Sequence, residues 1–175
     1  CKCINCLRCF ESLNEYNAAG LPAECALNPR LARERKYGDL AHDPARHSVA
    51  VVGSGPSGLM AAKTLAERGC RVTLLEQGDP LGGTINQAKM PPHKERMEWI
   101  MDYYKSAFDK LGVEVRLNTA ATADMLFDLK PDAVIVGTGS KPVIPSRIPG
   151  VQKPHVYSIP QILTGETDLS GKKVV

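Results

Sequence analysis

Apolar positions recur along this chain at two spacings, and the two alternate. The run 48–52, Ser-Val-Ala-Val-Val, is short, apolar and rich in β-branched residues, so it reads as a buried strand. Leu59, Ala62, Leu65 and Ala66 follow at helical spacing as far as Gly69, and 71–75 reads as a second strand. Met97, Ile100, Met101, Tyr104, Phe108 and Leu111 form the stripe of an amphipathic helix that lies on a sheet, with Trp99 and Tyr103 off the stripe and Gly112 as its stop. Residues 113–117 read as a third strand and 123–129 as a short helical turn. Pro131 and Asp132 then introduce a fourth strand, 133–136. Alternating strands and helices predict an α/β fold with a parallel sheet.

The turn after the first strand gives that pattern a chemistry. Gly53, Gly55 and Gly58 have G-x-G-x-x-G spacing between a strand and a helix. Gly53 allows the tight turn, Gly55 lets backbone approach a pyrophosphate, and Gly58 lets helix and strand pack closely. The helix N-terminus then offers N–H groups and a favourable dipole to phosphate. Glu76 ends the second strand, about where an acid binds the ribose hydroxyls of an adenine nucleotide and disfavours a 2′-phosphate. The expectation is a Rossmann-like, three-layer dinucleotide-binding fold; the plainer alternative is a structural glycine turn beside a solvated glutamate. Gly82-Gly83 permits a second close approach to a ligand, or else marks a surface loop. Thr138 and Gly139 fall at the C-terminal edge of the fourth strand, where open α/β sheets place ligands.

Five of six cysteines precede this domain, in a segment that reads as irregular and helix-poor. Cys3, Cys6 and Cys9 form C-x2-C-x2-C, and Cys25 offers a fourth thiolate from across a loop; Cys1 falls outside the spacing and is read as a spare. Three thiolates within seven residues meet at one centre only if the chain curls tightly, which suits a cubane iron–sulfur cluster. Zinc is the nearest rival, although no second C-x2-C knuckle exists, and disulfides require an oxidising compartment. Cys70 reads as a buried, inert thiol. Residues 30–46 are charged and read as a surface connector; Arg33 and Arg35 could neutralise a cluster or a phosphate, with a solvated face as the default reading.

Length and composition bound the rest. The chain has 175 residues, is 43% hydrophobic and carries a net charge of +3 with no dense basic run, which argues against nucleic-acid binding. No apolar run approaches the ~20 residues of a membrane helix. His42, His47, His93 and His155 lack ligand-like spacing, and no Ser/His/Asp or Cys/His set suggests hydrolysis. The chain starts without Met, and 170–175 resembles a turn entering a strand that stops short, so the expectation is a piece of a longer protein. Its expected divisions are residues 1–46 as the cysteine segment and connector, 47–150 as the dinucleotide-binding domain, and 151–175 as a linker and the start of another domain.

The cysteine motif of Cys3-Ile-Asn-Cys-Leu-Arg-Cys-Phe10, Cys25-Ala-Leu-Asn-Pro29, the glycine motif, Leu81-Gly-Gly-Thr84 and Gly137-Thr-Gly-Ser-Lys-Pro142 together resemble one family. It is the C-terminal half of the multi-centre NADH:flavin oxidoreductases related to old yellow enzyme, which includes 2,4-dienoyl-CoA reductase, enoate reductase and trimethylamine dehydrogenase. The resemblance implies that Cys3, Cys6, Cys9 and Cys25 hold a [4Fe-4S] cluster. It also implies that Gly53, Gly55, Pro56, Ser57 and Gly58 hold the FAD pyrophosphate and Glu76 the ribose. Gly82, Gly83 and Thr84 would lie along the cofactor, with Thr138 and Gly139 near it. Electrons would pass from NAD(P)H through FAD and the cluster to FMN in an absent barrel, which reduces an activated C=C bond; the nicotinamide domain is absent too. This piece then holds no catalytic residue, is inactive alone, has those domains of the same chain as its partners, and belongs in the cytoplasm without a membrane or nucleic-acid partner. An ADP-binding structural module of an amine dehydrogenase is the second reading, and a zinc-stapled nucleotide-binding regulatory domain the third. The C-x2-C-x2-C spacing departs from the C-x2-C-x3-C of dienoyl-CoA reductases and leans toward the enoate reductase or amine dehydrogenase side.

Overall fold

The computed structural model describes residues 2–174, with the backbone alone at Tyr16 and Asn17; Cys1 and Val175, named above, lie outside the described residues. Four strands form one parallel sheet: β1 (Ser48–Val52), β2 (Arg71–Leu75), β3 (Glu114–Arg116) and β4 (Ala133–Val136). Their order is β3-β2-β1-β4, so the chain runs outward from β1 to β3 and then returns to its other side. The register pairs Val52 with Leu75 on one side and with Val136 on the other, which brings three strand ends to one edge. Asp132 fastens the start of β4, because its Oδ2 accepts from the Ser48 N–H at 2.7 Å and the Ser48 hydroxyl at 2.9 Å.

Two helices cover one face of the sheet. In chain order the helices are α1 (Arg8–Tyr16), α2 (Glu34–Tyr37), α3 (Pro56–Glu67), α4 (Ile85–Ala88), α5 (Glu98–Leu111), α6 (Ala123–Leu129) and α7 (Ile159–Leu163). Helix α3 packs on β1, β2 and α5. The core combines Val49 and Val51 of β1, Val72 and Leu74 of β2, Leu59 and Ala62 of α3, and Ile100, Met101, Tyr104 and Phe108 of α5. Strand alternation and helix spacing both aim these side chains at one interface. Gly112 closes α5 in the left-handed conformation (φ 68°), with its N–H bonded to the Phe108 carbonyl, as its position in the sequence predicts. All four residues of β4 are exposed.

Three expectations change. The cysteine segment is not helix-poor, since α1 begins inside its motif at Arg8. Glu11, Ser12, Leu13 and Glu15 suit a helix, and the Leu7 carbonyl receives its first N–H groups. Residues 171–174 form no strand; Lys172 instead closes a turn onto the Leu169 carbonyl. Residues 142–154 are mostly exposed, as their prolines suggest, but the unforeseen helix α7 follows them. No helix among the described residues is long and apolar enough to cross a membrane.

Phe108 is the largest fully buried side chain in this core. Phe108→Ala is expected to destabilise the domain by about 3–5 kcal/mol, through lost transfer energy and an unfilled cavity. Urea unfolding monitored by circular dichroism measures it.

Candidate functional site

The strand ends, the first turn of α3 and two loops enclose a groove of about 430 Å³, within the range of small-ligand pockets. Gly53 leaves β1 at φ +97°, and a Cβ there would collide with the Gly137 carbonyl at the end of β4. A Cβ at Gly58 would collide with the Gly53 carbonyl, so only glycine lets α3 start this close to the strand. A Cβ on Gly55 would meet nothing within 4 Å, because that position opens on the groove. Pro56 occupies the first turn of α3, and the Ser57 and Gly58 N–H groups lack an intrahelical acceptor by helix geometry. That end of the helix presents donors and partial positive charge.

Glu76 stands across the groove from this turn, in a network centred on Ser54. Ser54 is fully buried. Its N–H and hydroxyl donate to Glu76 Oε2 at 2.8 and 2.6 Å, and its Oγ accepts from the Gly82 N–H at 3.0 Å. The Gly78 N–H donates to Glu76 Oε1 at 2.9 Å. Burial pushes the Glu76 carboxyl up, but the hydrogen bonds from Ser54, Gly78 and Gln77 outweigh it and hold the group below its ordinary value. The carboxylate is therefore charged and oriented before any ligand arrives. Among the described residues no Lys, Arg or His lines the groove.

A second cavity, of about 460 Å³, lies against the outer side of α3. Cys3, Cys6, Cys9 and Cys25 all line it, together with Lys2, Arg30, Met60, Lys63, Glu67 and Tyr103. The backbone is left-handed at Asn5 (φ 57°) and Leu7 (φ 61°), which supplies the tight curl that the triplet needs. Backbone N–H groups of Asn5 and Leu27 donate to Cys3 Sγ at 3.4 Å and Cys25 Sγ at 3.5 Å. Buried Ser12 ties the two parts together: its hydroxyl donates to the Cys9 carbonyl at 3.0 Å and accepts from the Glu24 N–H at 2.8 Å. Glu24 also pairs with Arg8 at 2.8 Å and Arg33 at 3.2 Å. Among the described residues no three His, Cys, Asp or Glu side chains already stand at metal-ligating separation. The four thiols share the cavity, and two of them, Cys3 and Cys25, accept backbone N–H groups.

Residues 51–112 match a model of the NAD(P)-binding Rossmann-like domain. The chain is 38% identical to an NADH oxidase of Thermoanaerobacter brockii over 89% of its own length and 24% of that protein. It is 34% identical to a cinnamate reductase of Clostridium sporogenes over 97% of its length and 25% of that protein. The solved complex of 2-naphthoyl-CoA reductase with 2-naphthoyl-CoA superposes with a TM-score of 0.83 at 33% identity, over 93% of this chain and 25% of the other. The chain is a homologue of the NADH oxidase and enoate reductase group. It spans about a quarter of the length of the curated relatives it matches.

In this oxidoreductase homologue most residues expected at the nucleotide site face one groove: Gly53, Gly55, Pro56, Ser57, Glu76, Gly83, Thr84, Thr138 and Gly139. Gly58 and Gly82 are buried behind the groove lining. Gly58 acts through packing and Gly82 through its bond to Ser54. Sequence reasoning missed Ser54, although a hydroxyl between two motif glycines was its signal. It also missed Thr119, Ala120 and Ala121, which follow β3 into the groove. No histidine lines either cavity. Cys70 is half-buried and donates to Asp43 Oδ2 at 3.5 Å; burial and that carboxylate both raise its thiol pKa, which keeps it protonated and unreactive.

The Glu76 network has a pH signature. A carboxyl held below its ordinary 4.5 contributes stability above that value and loses it as pH falls through the folded value. Ser54→Ala removes the hydroxyl bond and orphans the Gly82 donor, so it is expected to cost about 1–3 kcal/mol at neutral pH. The difference from wild type should narrow below the ordinary carboxyl value, once Glu76 is protonated in both proteins. Urea midpoints at neutral and acid pH measure this.

Proposed function

We propose that this chain is the nucleotide- and cluster-bearing part of an NAD(P)H-dependent flavin oxidoreductase of the enoate reductase type. The carrying observation is that one helix serves both sites: α3 opens the nucleotide groove with its first turn, and its outer side walls a cavity lined by four cysteines. The relatives support the reading, since an NADH oxidase, a cinnamate reductase and an aryl-CoA reductase all contain a homologous segment.

The residues fit the groups that this reading assigns. In the groove, Gly55 leaves space for a pyrophosphate, Ser57 and Gly58 offer N–H donors, and Glu76 offers a fixed acceptor to ribose hydroxyls. Gly83, Thr84, Thr138 and Gly139 border the remaining length, with the polar character that orients a ligand without charging it. In the cavity, Cys3, Cys6, Cys9 and Cys25 supply four thiolates, and the Asn5 and Leu27 N–H groups stabilise sulfur charge. When bound, FAD and a [4Fe-4S] cluster supply electron storage and single-electron transfer. The chain's own part is to hold the two neighbouring sites on one rigid helix. FMN and the nicotinamide nucleotide belong to other parts of the protein in this reading, and the substrate is an activated alkene bound there.

Full-length protein purified anaerobically is expected to contain about four iron and four sulfide per chain. Heat should release FAD. Cys25→Ser should abolish the iron while the adenine nucleotide is retained. Wild-type protein that carries zinc, or no metal, defeats the cluster assignment; release of ADP alone replaces the flavin by a structural nucleotide.

A further inference from the structure

Helix α3 turns a charged face toward the cysteines. Lys63 and Glu67 are one turn apart, and Lys63 Nζ meets Glu67 Oε1 at 2.5 Å. An ordinary surface pair of this kind stays in water and contributes little. This pair differs in two ways. The Lys63 side chain is only 12% exposed, and Glu67 Oε2 also meets Arg30 Nη2 at 2.5 Å. Arg30 comes from the segment just after Cys25, so one carboxylate is shared by two cations from different parts of the chain. Lys63, Glu67, Arg30 and Lys2 line the same cavity as the four thiols, which leaves that wall with a net positive charge. Burial pushes the Glu67 carboxyl up, but Lys63 and Arg30 overcome it and keep the group ionised.

We propose that Lys63, braced by Glu67 and Arg30, sets the reduction potential of the iron–sulfur centre held in this cavity. The inference rests on the cluster reading above. Four thiolates around an iron–sulfur core leave the oxidised centre anionic, and one added electron makes it more so. A fixed, partly desolvated cation stabilises the more negative state and raises the potential. Glu67 works in the opposite direction, and its two partners limit that effect. Lys63 is thus a tuning residue and need not touch the metal.

Potentiometric titration of the anaerobic full-length protein with dithionite, followed by electron paramagnetic resonance, tests the idea. Lys63→Met is expected to lower the one-electron reduction equilibrium about tenfold, which corresponds to about 59 mV. Glu67→Gln should raise it several-fold, because it removes a negative charge from this wall, and Lys63→Arg should stay close to wild type, because it keeps the positive charge. Opposite signs separate electrostatic tuning from simple loosening of the segment, which would move both variants alike. The inference is overturned by Met and Gln variants that both match wild type or both shift the same way. Should Lys63→Met lose its cluster, Glu67→Gln decides, since an unshifted or lowered potential there also overturns it. Wild-type protein without iron sinks the cluster reading and the inference together, whereas four iron with unmoved potentials sinks only the inference.

Discussion

The arrangement depends on backbone packing where β1, β4 and α3 meet without intervening side chains. Gly53 lies against the Gly137 carbonyl, Gly58 lies against the Gly53 carbonyl, and a Cβ on Gly137 would come within 3.4 Å of the Gly58 nitrogen. Three glycines from three elements therefore fix the start of α3 against two strand ends. A methyl group at Gly58 would have to push the helix off the end of β1, and one at Gly53 would push away the end of β4, since the atoms met are backbone and cannot rotate away. Everything downstream on α3 inherits this placement. Its first turn faces the groove, Leu59 and Ala62 enter the core, and Met60, Lys63 and Glu67 reach the cysteine cavity.

The same helix explains why an irregular cysteine segment is held in place. α1 and the loop to Arg30 have no strand to pair with and expose Leu7, Phe10 and Leu13. Polar ties take over. Ser12 binds the Cys9 turn to the Cys25 loop, Glu24 gathers Arg8 and Arg33, and Arg30 reaches Glu67 on α3. Isolated surface ion pairs are weak, but these share partners and include half-buried groups, so loss of one leaves its neighbours uncompensated. Positive φ at Asn5 and Leu7 adds local strain, which such ties offset.

Much of this was legible before any coordinates. β1 and β4 are legible because their β-branched runs end at glycine, and α5 because its apolar positions keep helical spacing for fourteen residues. The glycine turn was readable because its spacing carries a steric requirement. Other features emerge only in the fold. α1 was hidden because its apolar face is exposed and its neighbours are cysteine, asparagine and glycine, which read as loop. Ser54 occupies a position that many residues fill, and its hub role arises only when Glu76 and Gly82 arrive from elsewhere. Lys63 and Glu67 have no distinguishing mark in the sequence, and only the fold adds Arg30 and the thiols.

The two sites meet negative charge by different physical means. Among the described residues the groove has no cation; its donors are peptide N–H groups and a helix terminus, with the carboxylate of Glu76 in the same lining. Fixed dipoles suit a ligand whose charge stays constant, because they need no reorganisation and cannot be stripped away by salt as readily as mobile ions. In the proposed reading a carboxylate among them would also discriminate against an extra phosphate on the ribose. The cysteine cavity instead collects Lys2, Arg30 and Lys63 around its thiols. In the proposed reading four thiolates would carry more charge than one peptide turn can balance, and these cations would offset it. One helix thus presents backbone to the groove and ionised side chains to the cysteine cavity, which is the division of labour that the proposed nucleotide anchor and redox centre would call for.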